Sequence, residues 1–242
     1  MNDLLRALSL LTILPVRPRW DGEAPLGRAM AFYPLVGLGI GGLLAGGATI
    51  LDRLDKEPNF PSLRATLLLV AWVAITGGLH LDGWGDACDA LLPVVDRERR
   101  LEILRDPRMG SFGVIGITLL LLVKLAGLQA IHDGAPLILA PTLGRWVIVL
   151  AAAGWPSARP GGMGDRFRQG LQRRHIAWAT LTTLAAVAWF QCDGVIALMV
   201  ALMAGGALAY FAVSRLGGLT GDIYGALVEG VEASVLVTLA LV

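Results

Sequence analysis

Gly77-Gly78-Leu79-His80-Leu81-Asp82-Gly83-Trp84-Gly85-Asp86-Ala87-Cys88-Asp89 follows directly on a long apolar segment and sets one histidine and three carboxylates close together. On insertion scales an aspartate near the centre of a membrane span costs about 2.5 to 3.5 kcal/mol, so three in succession oppose simple burial in lipid. They have to face an aqueous mouth, a cation, or both. The stretch therefore marks the point where a membrane segment gives way to a chemical site.

The rest of the chain agrees. Its 242 residues are 55% hydrophobic and 16% charged, with a mean hydropathy of +0.67, too apolar for one soluble core. Runs of about 20 apolar residues cross the hydrocarbon as helices. Such runs lie near residues 31–51, 63–81, 111–131, 136–153, 176–192, 194–213 and 226–242. The predicted fold is all-α, a polytopic helical bundle of about seven transmembrane helices, six to eight in range, forming one membrane-embedded domain over residues 1–242. Residues 4–14, which carry Arg6 and stop at Pro15, suit a short N-terminal interfacial helix. No small-residue cleavage pattern follows them, so a cleaved signal peptide is not expected. No repeat at a fixed period is visible.

Charge sets the orientation of such a bundle, because Lys and Arg accumulate in cytoplasmic loops. One side would carry Arg6, Arg17, Arg19, Arg28, Arg97, Arg99, Arg100, Arg105, Arg108, Arg159, Arg166, Arg168, Arg173, Arg174 and Arg215, and the other only Arg53, Lys56 and Arg64. This places the N-terminus and every motif below in the cytoplasm, with Lys124 and Arg145 inside spans. A net charge of +1 without a sustained basic surface gives no reason to expect a nucleic-acid partner. The same topology separates Cys88 from Cys192 across the membrane, which removes a disulfide framework.

On a helix, Asp82, Asp86 and Asp89 are spaced four and three apart and share a face. Clustered carboxylates repel unless something positive sits among them, and hard oxygen donors that leave room for phosphates suit Mg²⁺. His80 lies about 200° around a continuous helix from Asp82 and joins the site only if neighbouring glycines bend the chain. A second constellation, Arg215-Leu216-Gly217-Gly218-Leu219-Thr220-Gly221-Asp222-Ile223-Tyr224-Gly225, opens the last span. Asp222 and Glu229 fall on one helical face and Glu232 extends the stripe into the membrane. This second acidic face is suited to completing the coordination of one Mg²⁺ or holding two; the other reading pairs the glutamates with Lys124 or Arg145. A third constellation, Arg105-Asp106-Pro107-Arg108-Met109-Gly110-Ser111-Phe112-Gly113, puts arginines beside helix N-terminal amides, a setting suited to phosphate oxygens. Residues 96–105 read as a short surface helix, and the two longest polar segments, about 82–110 and 154–175, share one side and together roof a cavity. Walker loops, dinucleotide fingerprints and zinc spacings are absent. These features point to a membrane enzyme acting on a phosphorylated substrate with Mg²⁺.

Thr76-Gly77-Gly78-Leu79-His80-Leu81-Asp82-Gly83 with Asp86 and Asp89, the Arg105–Gly113 segment, Leu216-Gly217-Gly218-Leu219-Thr220-Gly221-Asp222, and Phe32-Tyr33-Pro34-Leu35-Val36-Gly37 together resemble, in order and spacing, the cobalamin synthase family, adenosylcobinamide-GDP ribazoletransferase. The resemblance covers nearly the whole chain. It implies a Mg²⁺-dependent enzyme of the bacterial inner membrane that joins adenosylcobinamide-GDP to α-ribazole or its 5′-phosphate, giving adenosylcobalamin or its 5′-phosphate and releasing GMP. By the same resemblance Asp82, Asp86 and Asp89 are expected to bind metal and Asp222 to bind metal or act as base; Glu229 joins the expected metal ligands through its place on the Asp222 face. Asp82 and Asp222 are expected to be catalytic, and His80 to act as base or to orient the nucleotide. Arg108 is expected on the pyrophosphate, with Arg105, Ser111 and Thr220 also contacting substrate. The bilayer is an expected partner, and a homo-oligomer is a further one. The chain departs from the family's aspartate motif at Gly85 and Ala90, where alanine and glycine are expected.

Two other readings use the same features. A CDP-alcohol phosphotransferase requires an Ala-Arg pair after its Asp-Gly, which Asp82-Gly83 lacks, and a prenyltransferase favours a second aspartate-rich cluster where this chain has one aspartate and two glutamates. A transporter would use Lys124, Arg145, Glu229 and Glu232 as a polar pathway across the membrane.

Overall fold

Glycine and charge decide where each helix stops. The computed structural model describes residues 2–19, 25–54, 60–159 and 161–242. The described residues form eleven α-helices: α1 (Asn2–Leu11), α2 (Tyr33–Leu54), α3 (Phe60–Thr76), α4 (Leu79–Leu91), α5 (Arg97–Ile103), α6 (Ser111–Ala130), α7 (Ala135–Gly154), α8 (Met163–Arg168), α9 (Arg173–Trp189), α10 (Gln191–Leu216) and α11 (Gly221–Leu241). A 3-10 helix, Leu26–Phe32, leads into α2. Lys56, one of the cations expected on the sparsely charged side, lies outside the described residues.

Helices cover each of the seven expected apolar segments, the second being interrupted at Gly77-Gly78. Among the described residues five helical stretches are long and apolar enough to cross a membrane, and a sixth results if α3 and α4 are counted as one bent span. The polytopic all-α fold is as expected, and six spans meet the lower end of the expected range. The difference from seven lies in α3 and α9, which are only 17 residues long. α3 breaks off at Gly77-Gly78, where both residues take the left-handed conformation, φ 64° and 70°, open to glycine without steric cost. The chain then turns through 89° into α4. A sharp break of this kind is sustainable at membrane depth only against protein or a wet cavity.

α7 and α11 form the centre. α7 packs on α2, α9, α10 and α11, and α11 also packs on α4, α6 and α10. α7 is buried along most of its length. α2, α6 and α10 each turn an apolar face outward, with Leu43, Leu119 and Met203 more than half exposed. Such a surface is stable only in lipid.

The arginine-rich end is a knitted structure. Arg100 is buried and donates to the carbonyls of Ala90 at 2.5 Å, Leu91 at 3.0 Å and Pro93 at 2.8 Å, which satisfies the otherwise unpaired C-terminus of α4. Arg97 donates to the Leu216 carbonyl (2.8 Å) and Arg215 to that of Leu91 (3.1 Å). The segment after α7 pairs with the one before α11, as Leu219 donates to Pro156 and Ala158 donates to Leu219. Arg159 reaches across to the carbonyl of Leu101. The two long polar segments therefore do share one end of the bundle, and α5 forms where the charge spacing placed it, capped by the Asp96 side chain on the Arg99 amide.

Candidate active site

Helices α4 and α11 touch backbone to backbone. A Cβ at Gly83 would stand 2.7 Å from the Asp222 carbonyl oxygen, and one at Gly225 would stand 3.2 Å from that of His80. Only hydrogen at these two positions permits the contact, and the contact places Asp82 beside Asp222. Along α4 the three aspartates differ in environment: Asp82 is exposed, Asp86 half-buried and Asp89 buried. Asp86 lies within electrostatic reach of Asp82, Asp222 and Asp89, and Asp222 within reach of Asp82 and Arg159.

His80, Asp82 and Asp222 line one cavity of about 230 Å³. Its walls include Leu10 and Leu11 of α1, Ile148 of α7, and Met163 and Phe167 of α8. The expected interfacial helix therefore also serves as part of the site. Phe167 stands edge-on to both Tyr33 and Tyr224, with centroids 6.3 and 5.6 Å away. The cavity bordering the carboxylates is smaller than the roughly 300–1,000 Å³ usual for small-molecule sites.

His80 is 4% exposed and its Nδ1 lies 3.4 Å from a guanidinium nitrogen of Arg145. Arginine only donates, so Nδ1 accepts and the imidazole proton sits on Nε2. Arg145 in turn is paired with Glu232, while Lys124 binds Glu232 at 2.6 Å and Glu229 at 2.5 Å. Lys124 also lies 4.6 Å over the Trp72 ring. Two cations and two carboxylates thus close on themselves inside the bundle, all less than a tenth exposed. Glu229, expected among the metal ligands, is engaged here, and the polar pathway a transporter would need is occupied by its own ion pairs.

Asp89 is also engaged elsewhere. Its carboxylate accepts the amides of Gly110 (2.7 Å) and Gly113 (2.9 Å) at the N-terminus of α6. Among the described residues no three His, Cys, Asp or Glu side chains converge in a geometry that would hold a metal ion. The remaining set, Asp82, Asp86 and Asp222, still suits Mg²⁺ chemically, since that ion is commonly bound through one or two carboxylates plus substrate phosphates.

The residues expected to contact substrate are dispersed. Thr220 is buried, caps α11 through the Ile223 amide and donates to Asp222 at 3.2 Å. Ser111 begins α6 and is exposed, as is Arg105. Arg108 is solvent-facing and binds Asp106 through two nitrogens, at 2.9 and 2.7 Å. These hydrogen bonds push the Asp106 carboxyl down to about 2, so the pair is fully ionised at neutral pH. Arg159 is within electrostatic reach of Asp222. Burial, then Arg105, lowers its pKa, and Asp222 opposes them.

Two cavity residues were missed as functional groups. Tyr33 and Tyr224 carry no role in the sequence reading, yet both line the cavity and neither hydroxyl has a hydrogen-bond partner among the described residues. The signal available was their position at the first turns of α2 and α11; burial against Phe167 was not readable.

Comparison with known proteins shows the family. The cobalamin-5-phosphate synthase family matches residues 3–240. The chain is 43% identical over 246 residues to the adenosylcobinamide-GDP ribazoletransferase of Pseudomonas paraeruginosa PA7, covering 100% of this chain and 98% of the relative. It is 40% identical over 240 residues to the protein of that name from Roseiflexus sp. RS-1, covering 97% and 88%, and 39% identical over 250 residues to that of Stutzerimonas stutzeri A1501, covering 100% and 98%. No solved structure matches. The match spans α4, α11 and the cavity beside them, and the chain belongs to the cobalamin-5-phosphate synthase family.

Proposed function

We propose that this protein is a cobalamin synthase, an adenosylcobinamide-GDP ribazoletransferase that joins adenosylcobinamide-GDP to α-ribazole or its 5′-phosphate and releases GMP. The observation that carries the reading to the site is the convergence of His80, Asp82 and Asp222 on one cavity at the arginine-rich end of the bundle. The nucleophile is a ribose hydroxyl. Its oxygen bonds to the phosphorus on the cobinamide side of the pyrophosphate, the bond from that phosphorus to the bridging oxygen breaks, and GMP departs with the electron pair. The hydroxyl proton passes to a carboxylate, Asp222 or Asp82, and from there to solvent.

His80 acts as a donor in this scheme. With Nδ1 facing Arg145, its Nε2–H is free to orient a phosphate or ribose oxygen, which favours the orienting role over that of base. Asp82 and Asp222, with Asp86 beside them, would hold Mg²⁺, and the ion would supply charge neutralisation at the pyrophosphate. Arg159 and Arg108 supply cations from the loops; Arg108 has to exchange Asp106 for the substrate. Entry of a substrate into the cavity requires α8 to move away from Tyr33 and Tyr224. Its flanking Gly161 and Gly170, with φ of 71° and 76°, are suited to that hinge role.

The protein operates in the bacterial inner membrane with this end in the cytoplasm, a placement supported by the one-sided arginine distribution. A homo-oligomer is compatible with the exposed apolar helices. The deciding experiment is GMP release from adenosylcobinamide-GDP by the purified protein in lipid, with and without α-ribazole. Release that depends on α-ribazole is expected; α-ribazole-independent release would mark a hydrolase instead.

A further inference from the structure

The cavity lining is chemically mixed: His80, Asp82 and Asp222 are set among Leu10, Leu11, Ile148, Met163, Phe167 and the rings of Tyr33 and Tyr224. Those tyrosines are 1% and 2% exposed, and each buries a hydroxyl without a hydrogen-bond partner among the described residues. Buried polar groups are almost always hydrogen-bonded, and an exception marks a ligand position or a strain site. Leaving one unmade costs about 1–3 kcal/mol.

Both groups are neutral donors set among aromatic edges and aliphatic side chains. Among the described residues that line the cavity there is no arginine or lysine, although Arg168 lies within electrostatic reach of Tyr224; the aromatic and aliphatic lining favours a flat, uncharged ring system carrying lone pairs over a phosphate. The volume of 230 Å³ excludes a corrin macrocycle and suits the base of a nucleoside. We infer that Tyr33 and Tyr224 form the subsite for the benzimidazole nucleoside. The aromatic base lies against Phe167, the two phenol hydroxyls donate to its ring nitrogen and ribose oxygens, and the ribose hydroxyl is directed toward Asp82 and Asp222. The corrinoid and its pyrophosphate then approach from the exposed side of Asp82. This rests on the reaction proposed above and names which substrate fills which space.

The test uses Tyr33→Phe and Tyr224→Phe in the full-length protein in lipid nanodiscs. KM is measured for α-ribazole at saturating adenosylcobinamide-GDP, then for adenosylcobinamide-GDP at saturating α-ribazole, together with Tm without substrates. Each variant is expected to raise the α-ribazole KM about fivefold, the equivalent of one hydrogen bond, while the corrinoid KM and kcat stay near wild type. Tm is expected to hold or rise, because an unsatisfied buried hydroxyl has been removed. An unchanged α-ribazole KM in both variants, a rise confined to the corrinoid KM, or a Tm several degrees lower would each overturn the assignment. Equilibrium binding of α-ribazole alone, followed by ligand fluorescence in wild type and variants, separates the subsite from the reaction. Binding that weakens in the phenylalanine variants upholds the subsite even if no GMP is released, and equal binding by all three proteins rejects it.

Discussion

Asp89 accepts the Gly113 amide at 2.9 Å, and with it the last aspartate of α4 becomes the N-terminal cap of α6. The Gly110 amide binds the second oxygen at 2.7 Å. A Cβ at either glycine would run into that carboxylate. The glycine spacing opening α6 and the third aspartate of α4 are therefore one device, although they lie in separate motifs.

Asp89→Asn is expected to cost stability by about 1.5–3 kcal/mol, the range for hydrogen bonds to a charged group, because an amide offers one acceptor where the carboxylate uses two. Thermal unfolding in detergent checks it. The Mg²⁺ concentration giving half-maximal activity is expected to stay unchanged. A wild-type Tm with a displaced Mg²⁺ requirement would return Asp89 to the metal.

Lys124→Met leaves Glu229 buried without its cation and is expected to destabilise by about 3–5 kcal/mol. Adding Glu229→Gln restores most of the loss, because the remaining Arg145–Glu232 pair is neutral. Unfolding of single and double variants measures the coupling. A double variant as unstable as the sum of its parts would show that the quartet does not balance its own charge.

Gly83→Ala places a methyl against the Asp222 carbonyl and separates α4 from α11. Overpacking of this kind costs about 1–3 kcal/mol, but the larger effect is expected in kcat, since the contact sets the distance from Asp82 to Asp222. A folded Gly83→Ala variant with wild-type kcat would show that the backbone contact is dispensable for the chemistry.

Asp106→Asn releases Arg108 from its two-point pairing. The KM for adenosylcobinamide-GDP is expected to fall, and Arg108→Ala to raise it by about tenfold, in line with a charge-assisted hydrogen bond. Opposite movement of the two variants in steady-state kinetics is the signature; no movement in either would place Arg108 outside the substrate path.

Hydropathy and arginine placement made the bundle readable, because each apolar run and each loop cation reports locally. The bend before His80 was readable too, from Gly77-Gly78. What escaped the sequence is tertiary. Asp89 finds its partners 21 and 24 residues away, so spacing on α4 grouped it with Asp82 and Asp86. Glu229 sits on the Asp222 stripe but points to Lys124, a choice made by how α6 packs on α11. Tyr33 and Tyr224 stand at opposite ends of the chain and meet only through Phe167. α9 gives way to α10 at Phe190-Gln191, where Gln191 takes a positive φ of 49°, slightly before the break that hydropathy placed after residue 192.

The central claim is that Asp82 and its neighbours perform a metal-assisted transfer from adenosylcobinamide-GDP to α-ribazole. The direct measurement is GMP and corrinoid product formed by the purified protein in lipid, with and without Mg²⁺, for wild type and Asp82→Asn. The account predicts equal amounts of both products, dependent on Mg²⁺ and on α-ribazole, and lost in a variant that keeps the wild-type Tm. Full activity in Asp82→Asn, or no turnover by folded wild-type protein, would contradict it.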